Sequence, residues 1–202
     1  FQPESAVVFC NTKQLVREVC AELHSHGISA GALHGDMEQR DRDQVLVQFR
    51  QQACRVLVAT DVAARALDID NLAAVVNYEL PRSPEVYVHR IGRTGRAGRD
   101  GLALSLFTAR ERYRVDAIGE FQQRDTSFEA IETIAWSPQQ MAPPAFTTLC
   151  IAGGRKDKVR PGDILGALTG EAGMDGKAVG KIDVMDNVTY VAIASGSAEL
   201  AH

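Results

Sequence analysis

Residues 89–96 read His-Arg-Ile-Gly-Arg-Thr-Gly-Arg, three arginines and two glycines in eight positions. No packing requirement asks for such a run. An arginine guanidinium is a permanently charged planar fork that suits phosphate oxygens, and glycine lets main chain approach a ligand closely. If the segment opens as a helix, His89, Arg93 and Arg96 fall at i, i+4 and i+7, share one face and converge on a single phosphate, while Arg90 points elsewhere. A solvated basic turn after a helix is the bland reading of the same letters. A second cationic cluster, Arg155, Lys156, Lys158 and Arg160, lies in the segment Gly-Gly-Arg-Lys-Asp-Lys-Val-Arg. Phosphate contact at one sheet edge and a solvated loop are both open for it.

These groups need elements to position them. Ser5–Cys10 is a short apolar, β-branched run, followed by Asn11-Thr12 as a helix cap and by Leu15, Val16, Val19, Cys20 and Leu23 at helical spacing, with Gly27 at the end. Ile28–Leu33 is extended and leads into His34-Gly35-Asp36. A polar helix with Val45, Leu46 and Phe49 on its buried stripe comes next. Arg55–Ala59 reads as a buried strand, Thr60-Asp61 as the cap of a short helix, and Leu72–Asn77 as a strand. Ser83-Pro84-Glu85 opens the helix that delivers the octad. Gly101–Phe107 returns as a strand, and Ala109–Phe121 is an amphipathic helix. Strands apolar on both faces that alternate with helices predict a parallel sheet covered on both sides. The functional loops of such a sheet lie at the carboxyl ends of its strands, which selects Asn11-Thr12-Lys13, His34-Gly35-Asp36 and Thr60-Asp61. Thr12 and Thr60 also suit a purely capping role.

Composition limits the function classes. The chain has 202 residues, 45% of them apolar, which supports a real core. Net charge is −4, from 22 Lys+Arg against 26 Asp+Glu, so a general basic coat for nucleic acid is excluded and any phosphate site is local. No apolar run approaches the roughly 18 residues of a membrane span. The chain opens Phe1-Gln2-Pro3-Glu4, without Met or a signal-peptide pattern, and is expected to be a cytoplasmic piece of something longer with no membrane partner. Cys10, Cys20, Cys54 and Cys150 form no CxxC pair and are expected as reduced core thiols, with no metal site.

Past residue 124 the pattern weakens, and Ser137–Pro144 reads as a linker. A new unit follows: a strand over Thr147–Ile151, the basic loop, a helix opened by Pro161 with Ile164, Leu165 and Leu168 inside, and strands over Val179–Asp183 and Val188–Ile193 joined as a hairpin. The expected division is therefore 1–124, a linker over 125–145, and 146–202.

The segments VVFCNTK, LHGDMEQRDRD, ATDVAARALDID and HRIGRTGRAG resemble, in order and spacing, motifs IV, IVa, V and VI of the DEAD-box RNA helicases. The resemblance implies a RecA-like α/β domain, the second of two. It implies that Arg93 and Arg96 meet the γ-phosphate of ATP, Arg96 as arginine finger, that Asp68 holds the ribose hydroxyls, and that His89 relays between nucleotide and RNA. Thr12, Gly35 and Thr60 resemble RNA-backbone contacts, which carry no base sequence. Gln39 and Arg42 match motif IVa, either as an RNA contact or as an internal arginine tie that shapes the loop. The sequence departs from the family at Ala66, where motif V has glycine, and holds neither a GxxxxGK[ST] loop nor an Asp-Glu-Ala-Asp segment. ATP and Mg2+ are thus expected to be bound mainly by an absent N-terminal RecA-like domain, and no hydrolysis is expected from this chain alone.

The later segment GGRKDKVRPGDILGALTGE resembles the RNA-binding domain of the DbpA type. That resemblance implies an RRM-like α+β fold that anchors the enzyme on a hairpin of large-subunit (23S) ribosomal RNA, with Arg155, Lys156, Lys158 and Arg160 as contacts. Tyr190 is the sole aromatic after Phe146, so recognition by charge and shape suits the composition better than base stacking. The sequence as given ends before the final helix and strand of that fold. The whole reads as the C-terminal part of a monomeric ATP-dependent RNA helicase that remodels ribosomal RNA, with a DNA-acting helicase domain and a non-enzymatic RNA scaffold as alternatives.

Overall fold

Five short runs of small and β-branched residues pair into one sheet: β1 (Ala6–Phe9), β2 (Ala30–Leu33), β3 (Val56–Ala59), β4 (Ala74–Asn77) and β5 (Leu102–Ser105). Every pairing is parallel, in the order β2-β3-β1-β4-β5. β1 is central and wholly buried, as a near-continuous apolar strand in a covered parallel sheet must be. The computed structural model describes residues 3–65, 72–95, 100–134 and 143–201. Each ladder is four rungs long, so the strands are shorter than the apolar runs that contain them. Leu72, expected inside β4, instead makes an isolated parallel bridge to Thr94.

The helices form where caps and periodicity ask for them. The Thr12 hydroxyl accepts a hydrogen bond from the Leu15 N–H at 3.2 Å and starts α1 (Lys13–Ser25). α1 lays Val16, Val19 and Cys20 against Val8, Cys10 and Val58 of the sheet. Gly27, in the left-handed region at φ 72°, ends it. α2 (Gln39–Arg50) and the short α3 (Asp61–Arg65) follow. Ser83 caps α4 (Pro84–Ile91), with Pro84 in the first turn, where a missing N–H costs nothing. A 3-10 turn at Ala109–Glu111 precedes α5 (Arg112–Gln122), whose Val115 and Ile118 pack with Leu80. Among the described residues no helix is long and apolar enough to cross a membrane.

The chain divides into two compact units, Phe1–Met37 with Val56–Ala142, and Glu38–Arg55 with Pro143–His202. The second unit therefore contains α2. Its sheet is antiparallel, β6 (Phe146–Ala152), β7 (Val179–Val184) and β8 (Val188–Ala194), in the order β6-β8-β7. α6 (Pro161–Gly166) runs on into a π turn over Ala167–Glu171. Leu168, Met174, Ala178, Val191 and Ile193 form the core, with Leu149, Ile151 and Ile164 against it. Leu165, expected inside, is 40% exposed. Ile164 and Leu168 are four apart and share a face, and Leu165 lies about 100° around the helix from Ile164. The β7–β8 ladder breaks register between Val179 and Ile182. Buried Gln51 fills in beside the break: its amide nitrogen donates to the Lys181 and Tyr190 carbonyls at 3.3 Å and to Asp183 at 2.9 Å, and its carbonyl accepts from the Thr148 hydroxyl at 3.0 Å. Ser195–Ala201 forms 3-10 turns.

Candidate functional site

In the octad the expected helical face does not form. α4 stops at Ile91 with Gly92 as its cap, so Arg93 lies in the turn beyond the helix. The cause is the Leu72 bridge: the Leu72 N–H donates to the Arg93 carbonyl at 3.0 Å, and the Thr94 hydroxyl donates to the Leu72 carbonyl. That pairing takes the chain out of the helix at Thr94, and Gly95 follows at φ 67°, which glycine adopts without strain. His89 and Arg93 still border one surface groove, together with Phe9, Asp61, Ala64, Val86 and Arg90. Arg96, Asp68 and Ala66 lie outside the described residues.

Arg90 does point elsewhere, and its destination is the strongest polar cluster of the unit. It is 2% exposed. Nε and Nη2 donate to the two Asp61 carboxylate oxygens at 2.6 and 2.7 Å. Nη1 donates to Asn77 Oδ1 at 3.1 Å and to the Glu79 carbonyl at 2.8 Å, and Nη2 also donates to Asn11 Oδ1 at 2.9 Å. The guanidinium lies 5.1 Å from the centre of the Phe9 ring. Each of its N–H groups thus has an acceptor, which is what lets a permanent charge be buried. Asn11 follows β1, Asp61 follows β3 and Asn77 ends β4, so Arg90 ties three strand ends to α4 and fixes the helix that carries His89. Beside it, burial and the Glu79 charge push the Cys10 thiol up to about 12, with Arg90 opposing.

The three expected RNA-backbone contacts lie at the carboxyl ends of β1, β3 and β2, which are neighbours in the sheet. Thr12 is exposed, with its hydroxyl committed to the α1 cap. Gly35 is exposed, and a Cβ added there would meet open space. The Thr60 N–H donates to the Leu33 carbonyl at 3.2 Å, and its carbonyl accepts from Ala64 at 2.9 Å. Lys13 pairs with Asp36 across the first two loops and holds that carboxyl below the usual carboxylate range. His34 is 5% exposed, and Arg17 Nε donates to its Nε2 at 3.2 Å. Burial, and then the Arg17 charge, push the imidazole down. The proton of the neutral ring therefore sits on Nδ1, which meets no partner among the described residues.

Among the described residues neither Gln39 nor Arg42 shows a loop-shaping tie. Gln39 donates to Asp43 at 2.8 Å one turn along α2, and Arg42 Nε is buried without a hydrogen-bond partner among the described residues.

The basic cluster of the second unit is an ordered loop. Gly154 precedes a 3-10 turn at Arg155–Asp157, and its N–H donates to Asp157 at 2.9 Å. The Arg155 and Lys156 N–H groups donate to the Met185 and Asp186 carbonyls at 2.8 and 3.0 Å. A side chain at 154 would place its Cβ 2.3 Å from the Met185 carbonyl oxygen, so this docking requires glycine. The Arg155 guanidinium pairs with Asp186 at 3.1 Å. The loop therefore sits on the β7–β8 turn, at the ends of the strands rather than along a sheet edge, because its own N–H groups are satisfied by that turn. Arg155, Lys156, Lys158 and Arg160 are all exposed. Cys150, expected as a core thiol, is exposed as well, since it alternates with the core-facing Leu149 and Ile151. Among the described residues no three His, Cys, Asp or Glu side chains gather to hold a metal ion.

Sequence reasoning missed Arg90 as an anchor, and it missed Gln51. For Arg90 a signal existed, in the polar residues Asn11, Asp61 and Asn77 at strand ends with no obvious use. For Gln51 there was none.

Comparison with known proteins gives two family matches: the helicase conserved C-terminal domain over residues 2–98 and the DbpA RNA binding domain over residues 148–202. The chain is 52% identical to the ATP-dependent RNA helicase DbpA of Escherichia coli, over 99% of this chain and 43% of that protein. It is 37% identical to the helicase of the same name from Bacillus subtilis, over 96% of this chain and 45% of that one. The chain thus spans less than half the length of these relatives. Among solved structures, the E. coli DEAD-box protein SrmB, bound to regulator of ribonuclease activity A, aligns with a TM-score of 0.61 at 36% identity, over 65% of this chain and 77% of that one.

Proposed function

The chain belongs to the DEAD-box RNA helicase family, DbpA type, and from that premise we propose that it is the C-terminal part of an ATP-dependent enzyme that remodels structured ribosomal RNA. The observation that carries the proposal is the union, in one chain, of a helicase C-terminal match whose motif residues lie at one end of a parallel sheet and a separate RNA-binding unit with an ordered cationic loop.

Arg93 and His89 suit the γ-phosphate side of an ATP site. Arg93 is a cation in a turn just past a helix end, and the helix is held by the Arg90 cluster. With Asp68 and Arg96 they would complete a site whose other half, including the Mg2+ ligands, belongs to an N-terminal RecA-like domain. An arginine supplied from one domain to a nucleotide held by another makes hydrolysis depend on closure of the two. Thr12, Gly35 and Thr60 would hold the RNA backbone. Arg155, Lys156, Lys158 and Arg160 would anchor the enzyme on a hairpin of 23S ribosomal RNA, raising the effective concentration of the helicase there. The proposal includes a monomer acting in the cytoplasm.

The test adds the absent N-terminal domain in trans and measures phosphate release with and without ribosomal RNA. The expected result is RNA-stimulated turnover by the mixture and none by either part alone. Turnover by this chain alone, or none from a mixture that binds RNA, would overturn the proposal. Single-stranded DNA in place of RNA is expected not to stimulate.

A further inference from the structure

One helix has two affiliations. In sequence α2 joins β2 to β3 and lies within the helicase C-terminal match, residues 2–98. In packing it belongs with the antiparallel sheet of the second unit. A polar attachment to that sheet is made at its C-terminal end by Gln51, which is 3% exposed. There the Gln51 N–H donates to the Val47 carbonyl at 2.8 Å, and Gln52 takes the left-handed conformation at φ 57°, uncommon for a residue with a side chain. The helix stops with the Gln51 amide against all three strands. Its carbonyl accepts from Thr148 of β6 at 3.0 Å, and its nitrogen donates to the Tyr190 carbonyl of β8 at 3.3 Å and to the Lys181 carbonyl of β7 at 3.3 Å. Lys181 belongs to a β-bulge: between the Val179–Ile193 and Ile182–Val191 rungs, Gly180 and Lys181 stand against Ala192 alone. A bulge leaves main-chain groups without ladder partners, and bulges mark places where a strand is re-aimed for a purpose. Asp183 accepts from Gln51 on one oxygen at 2.9 Å and pairs with Lys181 on the other at 2.9 Å, so its charge is balanced without Gln51. A buried amide whose donors and acceptor are all engaged by three strands is held in one geometry.

We propose that Gln51 is a positioning residue for RNA binding. It fixes α2 to the antiparallel sheet and so sets two groups of RNA contacts on one body: Gln39 and Arg42 of motif IVa at the start of α2, and the basic loop of Arg155, Lys156, Lys158 and Arg160. Gln39 is exposed and lies twelve residues before Gln51, about 18 Å along the helix. A strand that leaves a structured element held by the loop is then presented to the first turn of α2. Two contacts on one rigid body act at a high effective concentration, and the gain is lost when they move independently. Gln51 is sealed from solvent and touches no RNA itself, so it acts through Gln39 and Arg42. This inference rests on the RNA-helicase reading and gives it a residue that couples its two kinds of RNA contact.

The test measures dissociation constants of the chain by fluorescence anisotropy, at one salt concentration, for three RNAs: a structured ribosomal fragment, the same fragment with a single-stranded extension, and the extension alone. The extension is expected to tighten binding of the fragment by about a hundredfold. Gln51→Leu keeps the volume and removes the hydrogen bonds. It is expected to leave affinity for the bare fragment unchanged and to cut the gain from the extension to below about tenfold. Thr148→Val removes one bond and leaves the Gln51 amide its other partners, so its gain is expected to fall between. Thr148→Ser keeps the hydroxyl and is expected to match the unaltered chain. Gln39→Ala is expected to lower the gain about fivefold, one ordinary hydrogen bond, with the bare fragment unaffected. Loss of bare-fragment affinity in both Gln51→Leu and Thr148→Val would make Gln51 a structural residue of the sheet and overturn the proposal. A gain in Gln51→Leu equal to that of the unaltered chain would overturn it too. If the fragment binds and the extension adds nothing in the unaltered chain, the proposal fails and the helicase reading stands. If no RNA binds, both fail.

Discussion

Arg90 and Arg155 are the same residue type, each beside residues with a proposed ligand, and the two units use them in opposite ways. Arg90 is sealed from solvent, and its guanidinium is divided among Asp61, Asn77, Asn11 and a main-chain carbonyl. Arg155 is exposed and paired with a single carboxylate, Asp186. A buried guanidinium with every donor satisfied has nothing left for a phosphate and acts as a strut. An exposed pair in water is worth little and readily yields to a phosphate. Arginine density alone therefore does not mark a ligand site, and within one octad the architectural Arg90 lies three residues from Arg93, for which a phosphate role is proposed.

The largest test of this contrast is Arg90→Ala. Removing the strut leaves Asp61 without its partner and is expected to cost about 3–5 kcal/mol of unfolding free energy, read by chemical denaturation. Arg90→Lys keeps the charge but loses the fork, and is expected to recover less than half of that. A loss for Arg90→Ala within that of an ordinary surface change would erase the distinction between the two arginines.

A smaller effect appears with pH. The Cys10 thiol is held protonated to about 12 against an ordinary 9.0. The unfolded chain therefore releases this proton at lower pH than the folded one, and stability falls as pH rises from 9 toward 12. Cys10→Ala is expected to flatten that part of the profile. His34 works in the other direction. Its imidazole is held below the ordinary 6.5, so the unfolded chain takes up the proton first and stability falls as pH drops below 6.5. His34→Gln is expected to remove that acid slope, and an unchanged profile would mean that the ring is not held neutral.

Thr12→Ala is expected to cost about 1 kcal/mol through the lost α1 cap. Thr12→Asn restores the cap without restoring a hydroxyl, so RNA binding recovered by Asn would mean that Thr12 acts only through the helix. Smallest is Arg155→Ala, expected to change stability by less than about 1 kcal/mol while weakening binding of the structured RNA and flattening its salt dependence. A stability loss as large as that of Arg90→Ala would show that the loop is a strut too.

What could be read from the residues alone was what neighbours in the chain decide. The Thr12 and Ser83 caps, the stripe of Val16, Val19 and Cys20, and the end of α1 at Gly27 depend on contacts within a turn or two. The parallel sheet followed from strands with no polar face. The Pro161 helix and the hairpin before Val188 were legible for the same reason. The rule that the functional loops of a parallel sheet lie at the carboxyl ends of its strands selected the segments of Thr12, Gly35 and Thr60, and the fold puts them there.

Other features required partners far away along the chain. The role of Arg90 rests on Asn11 and Asp61, which reach it only when β1 and β3 lie side by side. α4 ends at Ile91 because Leu72 recruits Arg93 and Thr94 into a bridge, and no local signal in an otherwise helical octad announces that. The exposure of Cys150 and Leu165 depends on which face of a strand or turn meets the core, and Gln51 acquires its meaning from a register break some 130 residues on. Local propensity and periodicity fix the elements, because their hydrogen bonds close within a few residues. The fate of a charged or polar side chain is decided by which acceptors the packed elements bring to it, and those exist only in the tertiary structure.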